Sequence, residues 1–178
     1  MKEVNQTGCC PPFDPKPWNN NTHHWNNKRF VKDHVITEHW VPVNFGEVVQ
    51  RIMEKMDAAG AQSPGWMGLS DHTSEKNMDI YVESDREVPG IENVSISATI
   101  FSKVYDGSFD KTQLWCDDFN KEAQKRGFQI KKSYMWYTTC PKCAEAYGNN
   151  VMQVGVCRPV LRLRQGYYAY LRLWAGYF

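Results

Sequence analysis

Val94-Ser95-Ile96-Ser97-Ala98-Thr99-Ile100-Phe101-Ser102-Lys103-Val104-Tyr105 is the stretch on which the fold turns. Its residues alternate without a slip. Val94, Ile96, Ala98, Ile100 and Val104 fall on one face, and Ser95, Ser97, Thr99, Phe101, Lys103 and Tyr105 on the other. A period of two marks a β-strand, because successive side chains leave the pleat on opposite sides. The aliphatic face is expected to pack under helices. The other face is polar and aromatic at once, which suits a cleft better than a solvated surface.

Working outward, a helix over 110–126 puts Leu114, Trp115, Phe119 and Ala123 on one side and stops at Gly127. Strands are expected over 132–138 and 151–156. Upstream the same order occurs once already. An alternating strand over 31–42 leads to a helix over 46–59, with Val48, Val49, Ile52, Met53 and Met56 at helical spacing and Gly60 as its stop. Two strands follow, near 66–71 and over 77–83; in the second, Met78, Ile80 and Val82 point inward and Asp79, Tyr81 and Glu83 across. An extra turn in the second helix is the main expected difference between the copies. The reading is α+β: a duplicated βαββ repeat forming one curved antiparallel sheet, two helices on one face and a ligand cleft on the other.

The expected organisation has an irregular segment over 1–30 packing on a domain over 31–157, with repeats at 31–87 and 94–157. Residues 1–27 are rich in Pro, Asn and His and make poor strand or helix material, with Phe13, Trp18 and Trp25 as anchors. Residues 158–178 carry four arginines, no acid and many aromatics, and read as an appended tail.

Composition narrows the function classes. Net charge is +1 with the basic residues scattered, so no electrostatic footprint for nucleic acid is seen. No run reaches about 18 consecutive apolar residues, so no membrane span is expected. The N-terminus lacks a secretory h-region, which favours the cytoplasm and reduced thiols for the six cysteines. Seven tryptophans in so short a chain suggest an aromatic-lined pocket for a small molecule.

Carboxylates are the first candidates for chemistry, because activating water needs a positioned acid or base. Glu38 lies in alternation with His34, Ile36 and Trp40 on the first strand; Asp79 stands beside Tyr81; Asp71 ends the preceding strand and reads as turn chemistry. His34 and His39 read as structural. Trp40, Tyr81, Phe101, Lys103 and Tyr105 are expected to line the ligand site. Alternation lets either Tyr134 and Trp136 or Met135 and Tyr137 face the cleft, not both pairs. The cysteines make a rival case: Cys140-Pro141-Lys142-Cys143 has the spacing of a metal or redox pair, with Cys9, Cys10, His23 and His24 as further ligands. A thioredoxin-like role would want the motif at the first long helix of a βαβ unit, which it does not open.

Four motifs together carry a resemblance: Thr7-Gly8-Cys9-Cys10-Pro11-Pro12-Phe13-Asp14-Pro15, Val41-Pro42-Val43-Asn44-Phe45-Gly46, Leu69-Ser70-Asp71 and Tyr137-Thr138-Thr139-Cys140-Pro141-Lys142-Cys143-Ala144. From about Thr7 to Val156 the chain resembles a bacterial family commonly labelled hydrolase, similar to the gyrase-inhibitor-like (GyrI-like) small-molecule-binding superfamily. The resemblance implies a duplicated βαββ fold with a central cleft. Some superfamily members sense drugs within regulators, and some relatives hydrolyse strained electrophiles such as cyclopropane-bearing toxins. The superfamily often places a glutamate two residues before a tyrosine on the penultimate strand. Here that alignment gives Met135 and Tyr137, favours this pair for the cleft, and leaves the carboxylate to come from elsewhere. The expectation is hydrolysis of a hydrophobic or electrophilic small molecule, with Glu38 or Asp79 orienting water and Tyr137 or Tyr105 donating a hydrogen bond. No cofactor is expected in that reading. The alternatives are a non-catalytic ligand sensor, or a zinc or redox protein using Cys140 and Cys143.

Overall fold

The computed structural model describes residues 10–107, 111–148 and 150–159. The elements run β1 (Asn21–Glu38), β2 (Val41–Pro42), α1 (Phe45–Ala58), β3 (Gly68–Ser74), β4 (Asn77–Glu83), β5 (Glu92–Asp106), α2 (Thr112–Lys125), β6 (Phe128–Tyr137), α3 (Pro141–Tyr147) and β7 (Asn150–Pro159). The strands form one sheet in the order β2-β1-β4-β3-β6-β7-β5. Every pairing is antiparallel.

The sheet also closes on itself. Strand β1 spans 18 residues, enough for one half to pair with β5 and the other with β4, with Phe30, Val31 and Lys32 opposed on both sides. At the far seam β3 meets β6 through the bridge Ser70↔Met135. Curvature of this kind removes open edges and gives the sheet an inside and an outside.

The inside is apolar and draws on all six strands of the ring. Phe30, Leu69, Tyr81, Ile100, Tyr134, Trp136, Met152 and Val154 form one buried cluster with Met67. The outside carries the two long helices. Val48, Ile52 and Met56 of α1 cover Val31, Val35, Met78 and Ile80. Phe119 and Ala123 of α2 cover Phe101 and Cys157. Each fully buried large apolar side chain is worth about 1.5–3 kcal/mol.

Several expectations change. Both helices have 14 described residues, so the extra turn in the second is absent from the described chain. The strand expected to start at 31 begins at Asn21. Asn and His are weak strand formers, but here they are recruited by pairing with β5: His23 Nε2 lies 3.1 Å from Ser102 Oγ and His24 Nδ1 lies 3.2 Å from Thr99 Oγ1. A register shift between Trp25 and Lys28 is absorbed at Asn27, whose φ of 53° suits asparagine and whose amide donates to Ser97 Oγ. The short α3 has no counterpart among the elements expected from the sequence. Residues 160–178 of the tail lie outside the described residues; Arg158 and Pro159 continue β7.

The largest correction concerns the deciding strand. The face with Val94, Ile96, Ala98, Ile100 and Val104 turns to the inside of the ring. Phe101, Lys103 and Tyr105 lie beneath α2 instead: Phe101 stacks on Phe119 at 5.1 Å, and Tyr105 on Trp115 at 5.6 Å. Both faces of β5 are covered, so alternation reveals a strand without revealing which side the helix takes.

Candidate functional site

The inside face stops being apolar around β1, β3, β4 and β6. Even-numbered positions of β1 point inward from Phe30, so Lys32 and His34 stand on the same face as Asp79 and Tyr81 of β4. His34 lies directly opposite Asp79, and Asp79 lies directly opposite Asp71 of β3. Two carboxylates opposed across a ladder repel each other unless each is neutralised. Each is: Lys32 Nζ is 3.3 Å from Asp79 Oδ2, and Lys132 Nζ is 2.8 Å from Asp71 Oδ2.

Tyr81 sits between the two lysines. Its hydroxyl accepts a hydrogen bond from Lys132 Nζ at 3.3 Å, and both ammonium groups lie over its ring, at 5.9 Å for Lys32 and 5.4 Å for Lys132. Tyr134 meets it edge to face at 5.5 Å. Burial works against charge on Lys132, but hydrogen bonds to Asp71 and Tyr81 more than offset it and hold the ammonium above its ordinary value. Lys32 is raised in the same way, burial being opposed by Glu92 and Asp79. Burial pushes the Tyr134 hydroxyl up. Two lysines held in their charged form, together with the hydroxyls of Tyr81 and Tyr134, make this patch rich in hydrogen-bond donors.

His34 supplies the other half. Its Nδ1 is 2.5 Å from Asp79 Oδ1. A carboxylate only accepts, so Nδ1–H donates, and in the neutral ring this leaves the lone pair on Nε2. Side-chain exposure is 12% for Asp79 and 69% for His34, so a buried anion orients an accessible imidazole.

Of the residues singled out in the sequence, Asp79 and Tyr81 join this cluster, and so does Asp71, which lies inside β3 and not in a turn as expected. Glu38 does not: it is exposed at the end of β1, about 13 Å along the strand from His34 at 3.3 Å per residue. The chain turns back there through His39 and Trp40, both at positive φ, as in a type I′ hairpin. Trp40 is exposed beside His72 at 6.0 Å. Met135 and Tyr137 are also turned away from the cluster. They pack with Trp115 of α2, and Tyr134 and Trp136 take the inner face. The alignment that favoured Met135 and Tyr137 for the cleft is therefore corrected; it is one residue out of phase with the pleat. His34 reads as structural in the sequence and Lys32 and Lys132 do not stand out there, because what joins them to Asp79 and Asp71 is the cross-strand register, not local spacing.

Lys103 and Tyr105 serve the helix layer. Lys103 Nζ reaches Asp118 Oδ2 at 2.5 Å, and the Tyr105 hydroxyl donates to the same oxygen at 2.8 Å. The Lys103 hydrogen bond holds the Asp118 carboxyl below its ordinary value against the opposing effect of burial, with Tyr105 adding to it. A depressed folded-state value means stability that is present above the unfolded value, about 3.9 for Asp, and lost as pH falls through the folded one. Lys103→Met is expected to flatten the loss of stability below about pH 4, which denaturant midpoints measured across acid pH will show.

At the other end of the inside face lies a second cluster. Cys10, Cys140 and Cys143 bring their Sγ atoms within 4.8 Å of one another. Nearby, Phe13 and Trp18 of the N-terminal segment each meet Trp136 edge to face at 5.6 Å. Cys9 lies outside the described residues.

Over residues 1–158 the sequence matches the family described as bacterial hydrolase. No curated protein matches the chain. Among solved structures, a hydrolase from Listeria innocua is similar over 78% of this chain and 91% of its own, at 10% identity and a TM-score of 0.53. The C-terminal domain of EcmrR covers 79% of this chain and 96% of its own, at 8% identity and a TM-score of 0.59. An uncharacterized conserved protein from Listeria innocua gives 9% identity, 78% and 91% coverage and a TM-score of 0.55. These are likenesses of fold.

Proposed function

Since the chain belongs to the bacterial hydrolase family, we propose that it hydrolyses a small electrophilic molecule held against the inside face at the His34–Asp79 pair. The observation that carries this reading is the 2.5 Å contact between a buried carboxylate and an exposed imidazole on the same face as Lys132 and Tyr81. Such an arrangement supplies what water addition needs. Asp79 holds the Nδ1 proton, and Nε2 takes a proton from water. The water oxygen attacks the electrophilic carbon, and negative charge grows on the atom that loses its bond to it. Lys132 and the Tyr81 hydroxyl are the donors able to meet that charge. The imidazolium then returns its proton to the leaving group. Tyr81 and Tyr134 offer aromatic walls to a hydrophobic substrate.

The test is a panel of aryl esters, lactones and epoxides offered to the wild type and to His34→Gln. One substrate class is expected to turn over in the wild type and to lose about 10²–10⁴-fold in the variant. Equal turnover in the two proteins would remove the imidazole from the mechanism.

A further inference from the structure

We propose that Cys10, Cys140 and Cys143 bind one zinc ion as three thiolate ligands, and that this ion fastens the N-terminal segment to the second half of the sheet. Neither the ion nor its role depends on the hydrolytic reading.

Three observations support it together. The first is distance. Zinc–sulfur bonds of about 2.3 Å in a tetrahedron set the sulfurs about 3.8 Å apart, and the three Sγ atoms already lie within 4.8 Å of one another. A closure of about 1 Å at most separates them from that geometry. The second is the chain geometry. Cys140 and Cys143 sit on one turn, where the amides of Cys143 and Ala144 both donate to the Cys140 carbonyl, at 3.0 and 2.9 Å. The turn presents both sulfurs from a single rigid piece. The third is the pattern of amide donors. Cys140 N–H donates to Cys10 Sγ at 3.3 Å, and Cys10 N–H donates to Cys143 Sγ at 3.5 Å. Amides aimed at sulfur stabilise thiolate charge, and they do so here reciprocally across a sequence separation of 130 residues or more.

The ligand chemistry selects the metal class. Three sulfurs, with no oxygen ligand grouped with them among the described residues, favour a soft or borderline ion and disfavour magnesium or calcium. Cys143 is fully buried, while Cys10 and Cys140 are half-buried, so the ion has an inner anchor and an outer approach. Binding displaces the thiol protons into solvent and leaves the zinc without a redox change. The consequence is mechanical. Cys10 is followed closely by Phe13 and Trp18, which pack on Trp136 over the inner cluster. A cross-link at residue 10 closes a long loop and holds those two rings in place.

The experiment is zinc analysis of untagged full-length protein purified without added metal, alongside Cys10→Ser, Cys140→Ser, Cys143→Ser and Cys9→Ser. About one zinc per chain is expected in the wild type, falling at least tenfold in the Cys10, Cys140 and Cys143 variants. Cobalt loaded into the apo-protein should give thiolate charge-transfer bands that vanish in the same variants. Cys9→Ser separates a fourth protein thiolate from a water in the remaining position. If buried Cys143→Ser fails to fold, the half-buried Cys10 and Cys140 variants still decide. Cys116→Ser, on α2, is the control that should retain the metal. Wild-type protein with substoichiometric, non-selective metal would overturn the proposal. So would a mass two protons lighter that maps to a Cys140–Cys143 disulfide.

Discussion

Phe119→Ala is expected to cost the fold about 3–5 kcal/mol, the range for removing a fully buried phenyl ring. Phe119 is completely shielded from solvent and is the central side chain through which α2 grips the sheet. One side of its ring stacks on Phe101 at 5.1 Å. Another side rests over Gly155 of β7, where an added Cβ would lie 2.8 Å from Phe119 Cε1. The glycine lets the ring sit directly on backbone and has no side chain of its own to fill the space that alanine leaves, which puts Ile130, 2.9 Å from the same point, as the neighbour there. Relaxation is therefore limited and the cavity cost is retained. Denaturant unfolding of the two proteins checks this. A loss under about 1 kcal/mol would mean that α2 is held by something other than this contact.

Asp79→Asn is expected to lower turnover about 10²–10⁴-fold with a much smaller effect on folding. The asymmetry follows from what each neighbour does next. Lys32 keeps a second partner, Glu92 at 3.2 Å, so it is not left as an uncompensated buried charge. His34 loses the carboxylate that accepts from its Nδ1, the oxygen 2.5 Å away. An amide can donate as well as accept, so the tautomer with its lone pair on Nε2 is no longer enforced. Removing the charge also relieves the opposition to Asp71 across the ladder, which limits the stability cost. Steady-state kinetics and thermal unfolding on the same preparation separate the two effects.

How much of this was legible in the chain can be seen strand by strand. Strand β4 is read from sequence with the bounds the structure gives, because its alternation is bounded by turn residues and only one of its faces meets a helix. Strand β5 is equally plain as a strand, yet its two faces lie opposite to the arrangement its pattern suggests. Apolar groups lie on both of its faces, Ile100 inward and Phe101 toward α2, and period-two patterning carries no label for which is which. The first ten residues of β1 were hidden for the opposite reason. Their composition argues against a strand, and only pairing with β5, distant in sequence, makes one.

The candidate site shows the same division. Asp79 and Tyr81 could be picked out from one strand's polar face. His34 is 45 residues away from Asp79 and meets it through register alone. Lys132 joins by way of Asp71 on a strand from the other half of the chain. The cysteine group, by contrast, was visible as CxxC plus an N-terminal thiol, and folding brings Cys10 to within reach of both.

The central claim is that His34, oriented by Asp79, is the group that takes the proton from water. The direct measurement is kcat/KM against pH for the wild type and His34→Gln on the same substrate. An ascending limb in the wild type that is missing from the residual activity of the variant is the expected result. The same limb in both proteins would contradict it and assign the base elsewhere on the face.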